Sequence, residues 1–547
     1  MTIVDVATEP IELFEPSSKE NAAEAAIHAL EEMDVDTVFG IPGVHTLALY
    51  DALRSSVSIR HILARHEQGA GFMADGYARA TGKPGVALVI TGPGVTNIST
   101  AVGQAYTDSS PMLVLSTNVE RKYLDGMRGS LHDLKDQPRL MSTLTKWNTR
   151  VTSPEQVGPT LIESLLHASK GRPGPVHVEI PKDILDESID AVTFDIYEVD
   201  PAELDTESVN LAIEALRNAR RPVVYAGGGV IAAGAHLELM ELAERLNAPV
   251  VTSIQGKGSL PETHPQSLGA LWSPGNPIDH LVRNADCMIV VGSKLGVQST
   301  EHFTFPFPDT LIRIDIDPNE MIRNVQPSIE IHCDARAALL ALESGIDRIA
   351  SEWSIAEIQL ARSSAENDAF GADRVAWLEA IRCAMPDDGI VAWDMTMMSY
   401  VACGLYKVTQ PRTWLFPHGF GTLGFALPAA IGAKLGKPDT AVACVVGDGG
   451  FQFTMQEVAT AVQYRIGLPI VIFNDSAYSA VKDEQARTRE GNFIAVDLVN
   501  PDYVKLADAY GIAGIRATSP EILEREIEAA LNRDLPTIID VPIAGWA

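Results

Sequence analysis

Short apolar runs that end in glycine and lead into helical periodicity recur along this chain. That pattern restricts it to parallel sheets covered by helices. Thr37-Val38-Phe39 stops at Gly40-Ile41-Pro42-Gly43. A strand at His61–Leu63 precedes a helix running from Glu67 to Thr81. A strand at Val86–Thr91 precedes a Gly-Pro-Gly turn, a helix and a strand at Met112–Thr117. A strand buried on both faces reads as an unbroken apolar run, and parallel neighbours need a crossover, usually helical. Ser17 and Glu20 have the spacing of a capping box ahead of Ala26, Ile27, Leu30 and Met33, so the first helix is expected there.

With 547 residues and roughly 100–200 per domain, about three such units are expected. Residues 1–16 are acidic, lack the apolar stretch of a signal peptide and read as a surface extension. The first unit is expected over 17–190. The acidic, weakly patterned stretch 184–206 reads as a linker. A second unit is expected over 200–345, with its pattern opening at Glu207 and strands at Pro222–Tyr225, Cys287–Val291 and Leu311–Ile316. A Ser/Ala/Glu-rich stretch, 350–370, reads as the next crossing segment. A third unit, 370–547, has strands at Ile390–Trp393, Ala441–Val446, Pro469–Phe473 and Thr537–Val541. The expected fold class is α/β, with three domains, each a mostly parallel sheet covered by helices.

Acidic residues outnumber basic ones 72 to 42, for a formal net charge of -30. Such a surface repels phosphate backbones and anionic lipid, so neither nucleic acid nor a membrane is expected as partner. The five cysteines are scattered with no CxxC or Cys/His spacing, which fits a reducing cytoplasm. No apolar run approaches the ~18 residues of a membrane span.

Val445-Val446-Gly447-Asp448-Gly449-Gly450 ends a buried strand in a glycine turn that carries one acid, with a helix expected from Met455 to Ile466. Glycine amides at a strand–helix junction suit phosphate oxygens. An acid there needs a cation to coexist with phosphate. A second strand, Pro469–Phe473, ends in Asn474-Asp475. Ligands bind at the carboxyl edge of parallel sheets, so Asp448 and Asp475 can meet over one ion. All-oxygen ligands with a diphosphate favour magnesium. Two unrelated strand-end turns would look the same, since Asp-Gly turns are common.

Read with its neighbours, this pair resembles the diphosphate motif of thiamine diphosphate (ThDP) enzymes. FGIPG (39–43), RHEQGAGFMADGYARATGKPGV (65–86), TGPGVTN (91–97), GPVHVEIPKD (174–183) and GTLGFALPAAIGAKL (421–435) resemble the acetolactate-synthase/pyruvate-decarboxylase superfamily, in order and over nearly the whole chain. The resemblance implies pyrimidine-binding, central and diphosphate-binding domains. It gives Glu67 the role of hydrogen-bonding N1′ of the aminopyrimidine; without it Glu67 would read as a first-turn residue stabilised by the helix dipole. Leu423 matches the apolar residue that props the bent cofactor, and Gly421 the residue whose carbonyl receives its 4′-amino group. Gly447, Asp448, Gly449, Gly450, Asp475 and Tyr478 match the diphosphate side. The metal set that the resemblance implies is Asp448, Asp475 and the Ala477 carbonyl. Most relatives carry Asn where Asp475 stands, and Asn474 is the alternative ligand. The cofactor of this family lies between the pyrimidine domain of one subunit and the diphosphate domain of another, which implies a homodimer or homotetramer.

Tyr225-Ala226-Gly227-Gly228-Gly229 follows a strand but departs from GxGxxG. The stretch after VVGS, Lys294–Gln298, lacks the RFDDR-like segment of flavin-binding relatives. FAD is therefore the minor reading and a scaffold domain the major one.

The resemblance implies decarboxylation of a 2-oxo acid, followed by protonation or by attack on a second carbonyl (an aldehyde or second 2-oxo acid). Pyruvate-decarboxylase-like members have paired histidines where this chain has Tyr106-Thr107-Asp108-Ser109-Ser110-Pro111, and an acid or serine where it has Val44. An acetolactate-synthase-like carboligase is thus preferred over a simple pyruvate decarboxylase. The segment NVERKYLDGMRGSLHDLKDQ differs from that of true acetohydroxyacid synthases. The wording around FGIPGVHT and LHDLKDQ is similar to 5-guanidino-2-oxopentanoate decarboxylases. A non-ligating decarboxylase of that type, a flavin-dependent oxidase and a silent ThDP-binding subunit are the alternatives; intact Glu67, Asp448 and Asp475 argue against the last. Substrate-side candidates are Val44, His45, His132, Gln137 and His418, with Tyr478 and Gln485 as further polar groups. Asp108, Asp394 and Glu484 are the candidate acids for a cationic substrate.

Overall fold

The structure, a computed structural model, describes residues 19–191, 204–369 and 371–543. The 1–16 extension and Ser17 lie outside the described residues, as does the 192–203 part of the expected linker. The first unit holds β1 (Lys19–Asn21), β2 (Thr37–Gly40), β3 (Arg60–Leu63), β4 (Gly85–Val89), β5 (Met112–Asn118), β6 (Trp147–Arg150), β7 (Pro175–Pro181) and β8 (Ser188–Asp190). β2 to β7 make one parallel sheet in the order β3-β2-β4-β5-β7-β6, and β1 pairs antiparallel with β8. The expected linker therefore opens as ordered structure.

That small ladder also moves the first helix. β1 occupies residues 19–21, so the helix runs Ala22–Glu32 with Asn21 as its cap. Asn21 Oδ1 accepts the Glu24 amide at 2.9 Å, and Glu24 returns the bond to the Asn21 amide at 2.8 Å. The capping box is thus Asn21/Glu24, four residues beyond the expected Ser17/Glu20 pair.

The second unit holds β9 (Pro222–Ala226), β10 (Val250–Thr252), β11 (Ser267–Gly269), β12 (Cys287–Val291), β13 (Thr310–Asp315) and β14 (Ile329–His332), in the order β11-β10-β9-β12-β13-β14. The stretch expected as a crossing segment is a helix, Ile355–Ala369, packed on the central unit near β11. Ile358 and Ala365 join that unit's core. Its exposed face is polar enough to blur the apolar periodicity.

The third unit holds β15 (Ile390–Trp393), β16 (Trp414–Leu415), β17 (Val442–Gly447), β18 (Pro469–Asn474), β19 (Ala513–Arg516) and β20 (Thr537–Pro542), all parallel, in the order β16-β15-β17-β18-β20-β19. This winding repeats that of the first sheet, one strand to one side of the starting strand and four to the other. All three sheets are parallel α/β layers, as the sequence pattern implies.

The first and third units share one apolar core, to which Phe72, Met73, Ala430 and Ile431 belong. Its centre is the crossing of the Glu67–Thr81 helix with the Ala426–Gly436 helix. A Cβ on Gly76 would lie 2.1 Å from the Ala429 carbonyl oxygen, and one on Gly432 1.9 Å from that of Met73. The two backbones touch because both positions are glycine.

Candidate active site

The carboxyl edge of the third sheet brings the two acids of the sequence motif together. β17 and β18 are neighbours, with Gly447 opposite Phe473. The helix begins directly at Asp448, as Asp448–Thr454, and a second one, Glu457–Gln463, follows. These two short helices replace the single one expected from Met455 to Ile466. Asp448 is buried and its carboxyl is pushed up, first by burial and further by the charge of Asp475. Asp448 Oδ2 accepts Asn500 Nδ2 at 2.5 Å, and Asp475 Oδ2 accepts the Ser479 hydroxyl.

The neighbouring Asn474 is engaged elsewhere. Its Nδ2 donates to Asp540 at 3.1 Å, and its Oδ1 accepts Asn500 at 2.9 Å. Ser476 takes a left-handed φ of 56, and Ala477 and Tyr478 follow it. A Cβ on Gly449 would sit 2.5 Å from the Tyr478 ring, and one on Gly450 2.8 Å from Asp394 Oδ1. Glycine thus lets the turn pack directly against Tyr478 and Asp394, beside two like-charged carboxylates that a cation would relieve. A glycine turn at a strand–helix junction next to such a pair fits a metal-bound diphosphate. Among the described residues no three His, Cys, Asp or Glu side chains gather as a metal cluster. An ion here would need phosphate oxygens to complete its shell.

The segment Phe416–Ala426, which carries His418, Gly421 and Leu423, is fastened from several sides. Asp394, the residue after β15, is fully buried; Oδ1 accepts the amides of Met395 and Gly424, and Oδ2 that of Ala426. Burial pushes its carboxyl up to about 6. Asp108 Oδ1 accepts the Gly419 amide at 2.8 Å, and its Oδ2 binds Arg79 at 3.0 Å and Gln104 at 2.6 Å. Arg79 in turn donates to the Phe416 carbonyl at 3.1 Å. Asp108 and Asp394 are therefore spent on the backbone of this segment, and neither is free to meet a cationic substrate. Glu484 is exposed and paired with Arg487. Gly421 has φ 70, and only Met395 approaches its Cβ position, at 3.5 Å. Leu423 is half-buried. Burial lowers the His418 imidazole, opposed by the charge of Asp108.

At the carboxyl edge of the first sheet, Glu67 opens its helix just past β3. Its Oε2 accepts Asn97 Nδ2 at 2.9 Å. The winding of this sheet reverses between β2 and β4, the place where open α/β sheets bind ligands. The turns after those strands meet there: His45 Nδ1 lies 2.9 Å from Thr91 Oγ1, and the His45 and His132 rings are 5.5 Å apart, edge to face. Burial, then the Lys182 charge, lowers the His45 imidazole to about 4. Gln137 is fully buried: its Oε1 accepts the Gly92 amide, and its Nε2 donates to Ser116 and Thr117. It braces the turn behind the site and has no free group to offer a substrate. Gln485 is likewise committed to Ile494.

Val44 and His45 line a cavity of about 450 Å³ with Glu120, Tyr123, Arg128, Leu131 and Lys182. Sequence reasoning missed Asn97 and Asn500. Asn97 lies inside the TGPGVTN segment, but nothing in the spacing linked it to Glu67. Asn500 precedes a proline, a turn signal only.

In the central unit the strand order is that of a dinucleotide-binding fold. Two of the three turn amides are already used, however: Gly227 donates to Val291 at 2.8 Å and Gly229 to Gly292 at 2.9 Å. A Cβ on Gly229 would meet Gly292 at 2.6 Å, so the two turns close on each other.

Comparison with known proteins agrees with this architecture. Residues 20–140 match the thiamine pyrophosphate enzyme N-terminal TPP binding domain, 209–342 the central domain and 394–541 the C-terminal TPP binding domain. The chain is 39% identical over 536 residues to a probable 2-ketoarginine decarboxylase of Pseudomonas aeruginosa, covering 96% of this chain and 95% of the relative. It is 35% identical over 553 residues to the acetolactate synthase isozyme 3 large subunit of Escherichia coli, covering 96% and 95%. A probable acetolactate synthase large subunit of Methanocaldococcus jannaschii is 35% identical over 549 residues, with 95% and 91% covered.

Proposed function

This chain belongs to the thiamine-pyrophosphate-dependent enzymes, and from that premise we propose that it decarboxylates a 2-oxo acid and can join the resulting acyl unit to a second carbonyl compound. The observation that carries the reading is the pair Asp448 and Asp475 on neighbouring strand ends, with Asp448 set in a glycine turn. In this reading Asp448, Asp475 and the Ala477 carbonyl hold magnesium, and Gly447, Gly449, Gly450 and Tyr478 surround the diphosphate. Asn474 is the poorer ligand because Asp540 and Asn500 already occupy its amide. Leu423 supports the cofactor, and the Gly421 carbonyl receives its amino group. When bound, thiamine diphosphate supplies the electron sink that lets a 2-oxo acid lose carbon dioxide. Glu67 holds and returns the proton at the aminopyrimidine N1′.

Val44, His45 and His132 sit on the substrate side. His45 is held neutral, so it orients a substrate by hydrogen bonding rather than by charge. Glu120 is neutralised by Lys122 at 2.6 Å and Lys182 at 3.6 Å, and Arg128 has no ion-pair partner among the described residues. The cavity is thus cationic and suits the carboxylate of a 2-oxo acid. We read the central unit as flavin-free, because two of the three amides of its glycine turn are already used and the turn closes on Gly292. We further propose a homodimer or homotetramer with shared sites, in the cytoplasm, with neither nucleic acid nor a membrane as partner.

A second reading, decarboxylation of a guanidino 2-oxo acid without ligation, is favoured by the 39% identity to the probable 2-ketoarginine decarboxylase. The cationic cavity weighs against it. Carbon dioxide release from a panel of 2-oxo acids, pyruvate and 5-guanidino-2-oxopentanoate included, tests both. 2-Hydroxyketone or 2-hydroxy-acid products on adding an acceptor support the first reading. Aldehyde as the only product from the guanidino acid supports the second.

A further inference from the structure

One side of the third unit grips the backbone that leads into Glu67. Four side chains on the Glu457–Gln463 helix and its end reach residues 61, 63, 65 and 66, from β3 to the start of the 67–81 helix. Tyr464 accepts the Leu63 amide at 2.8 Å on its hydroxyl, and that hydroxyl lies 3.4 Å from the His61 carbonyl. The Thr460 hydroxyl lies 3.4 Å from the Leu63 carbonyl. Gln463 Oε1 accepts Arg65 Nη2. Glu457 is the last and deepest of the set. Its carboxylate accepts the Arg65 amide at 3.1 Å and the His66 amide at 3.0 Å, the two donors directly before Glu67. Its other oxygen is fixed by Thr460 at 2.7 Å.

The fit allows no slack. Glu457 is fully buried, and a Cβ on Gly69 would stand 2.3 Å from its Oε1. A buried carboxylate without a cationic partner is costly, and here only backbone amides and a hydroxyl offset that cost in direct contact. Packing alone would be served better by an apolar residue. What the carboxylate adds is a fixed position for two successive peptide planes.

We propose that Glu457 is a positioning residue for Glu67, setting where that carboxylate stands when the cofactor is bound. The inference rests on Glu67 exchanging the N1′ proton. It adds that the aim of Glu67 is set by the third unit of its own chain, through the same pair of short helices that opens at Asp448. An error of an ångström in an acid–base group costs on the order of a hundredfold in rate.

The test compares Glu67→Gln, Glu457→Gln and Thr460→Val as magnesium–ThDP holoenzymes. Three quantities are read: backbone amide exchange at Arg65 and His66 by mass spectrometry, deuterium exchange at the thiazolium C2 of bound ThDP, and the kcat and KM for the 2-oxo acid. Glu457→Gln is expected to speed amide exchange at 65–66 at least tenfold. It should slow C2 exchange and kcat together by roughly tenfold to a hundredfold, with KM and cofactor retention unchanged. Thr460→Val keeps the volume and both amide bonds, should shift all three quantities less in the same direction, and carries the test if Glu457→Gln does not fold. Slow C2 exchange in Glu67→Gln with wild-type exchange in folded Glu457→Gln and Thr460→Val overturns the positioning role alone. Wild-type exchange in Glu67→Gln overturns the reading of Glu67 and the positioning role with it.

Discussion

Replacing Asp108 with alanine separates a fastening role for this acid from a substrate-binding one. Its side chain is 2% exposed and accepts from Arg79, Gln104 and Gly419. Truncating one partner of a buried ion pair costs about 3–5 kcal/mol when the other charge is stranded. Arg79 is not stranded, since it keeps Asp75 at 2.7 and 3.0 Å and the Phe416 carbonyl. The remaining loss is two donors without acceptors, at about 1–3 kcal/mol each if dry. Gly419 is exposed enough for water to replace its bond. We therefore expect Asp108→Ala to destabilise the contact between the first and third units by about 2 kcal/mol. Asp108→Asn keeps an acceptor for Gly419 but turns an NH2 toward the donors of Arg79 and Gln104, so it should cost at least as much. Urea unfolding followed by tryptophan fluorescence reports the right region, because Trp414 packs against Phe416 at 5.9 Å. The KM for the 2-oxo acid should stay within twofold. A stability change under about 0.5 kcal/mol with a KM raised tenfold or more would refute the fastening role.

Two further outcomes follow from the packing and the buried histidines. His177 is fully buried against Ser116 and its imidazole is lowered to about 3 by burial, then by Arg150; His45 is lowered to about 4. The unfolded chain binds protons at both below about pH 6.5 while the folded chain does not, so stability should fall as pH drops from 6.5 toward 4. Urea midpoints across that window should show the slope, and His177→Gln should flatten it by about one proton. Gly76→Ala gains about 1 kcal/mol of helix propensity but forces a methyl to within 2.1 Å of the Ala429 carbonyl. Overpacking between two backbones costs more than that gain, so the thermal midpoint should drop by several degrees; an unchanged midpoint would mean the two helices can part.

The parallel sheets were legible because their strands are continuous apolar runs punctuated by glycine, a local signal. The Glu67–Thr81 helix was legible to the residue, since His66 caps it and Gly82 ends it. That Asp448 and Asp475 share one sheet edge was legible because adjacent parallel strands carry their ends to the same side. What escaped were contacts between distant segments. Asp394 binds amides some 30 residues onward, and Asp108 binds one 311 residues away. A buried carboxylate that accepts backbone amides looks, in sequence, like any strand-end or helix-end acid. The first cap was misplaced because β1 gains its strand character only from β8, far along the chain. The 355–369 helix escaped because its buried face is short and its outer face polar.

The most direct test of the site is a calorimetric titration of ThDP into EDTA-stripped protein, with and without magnesium, for the wild type and Asp448→Ala. One ThDP per chain should bind the wild type only when magnesium is present, and Asp448→Ala should bind none at micromolar concentrations. Equal binding in EDTA, or tight binding by Asp448→Ala, would contradict the metal–diphosphate site at Asp448 and Asp475.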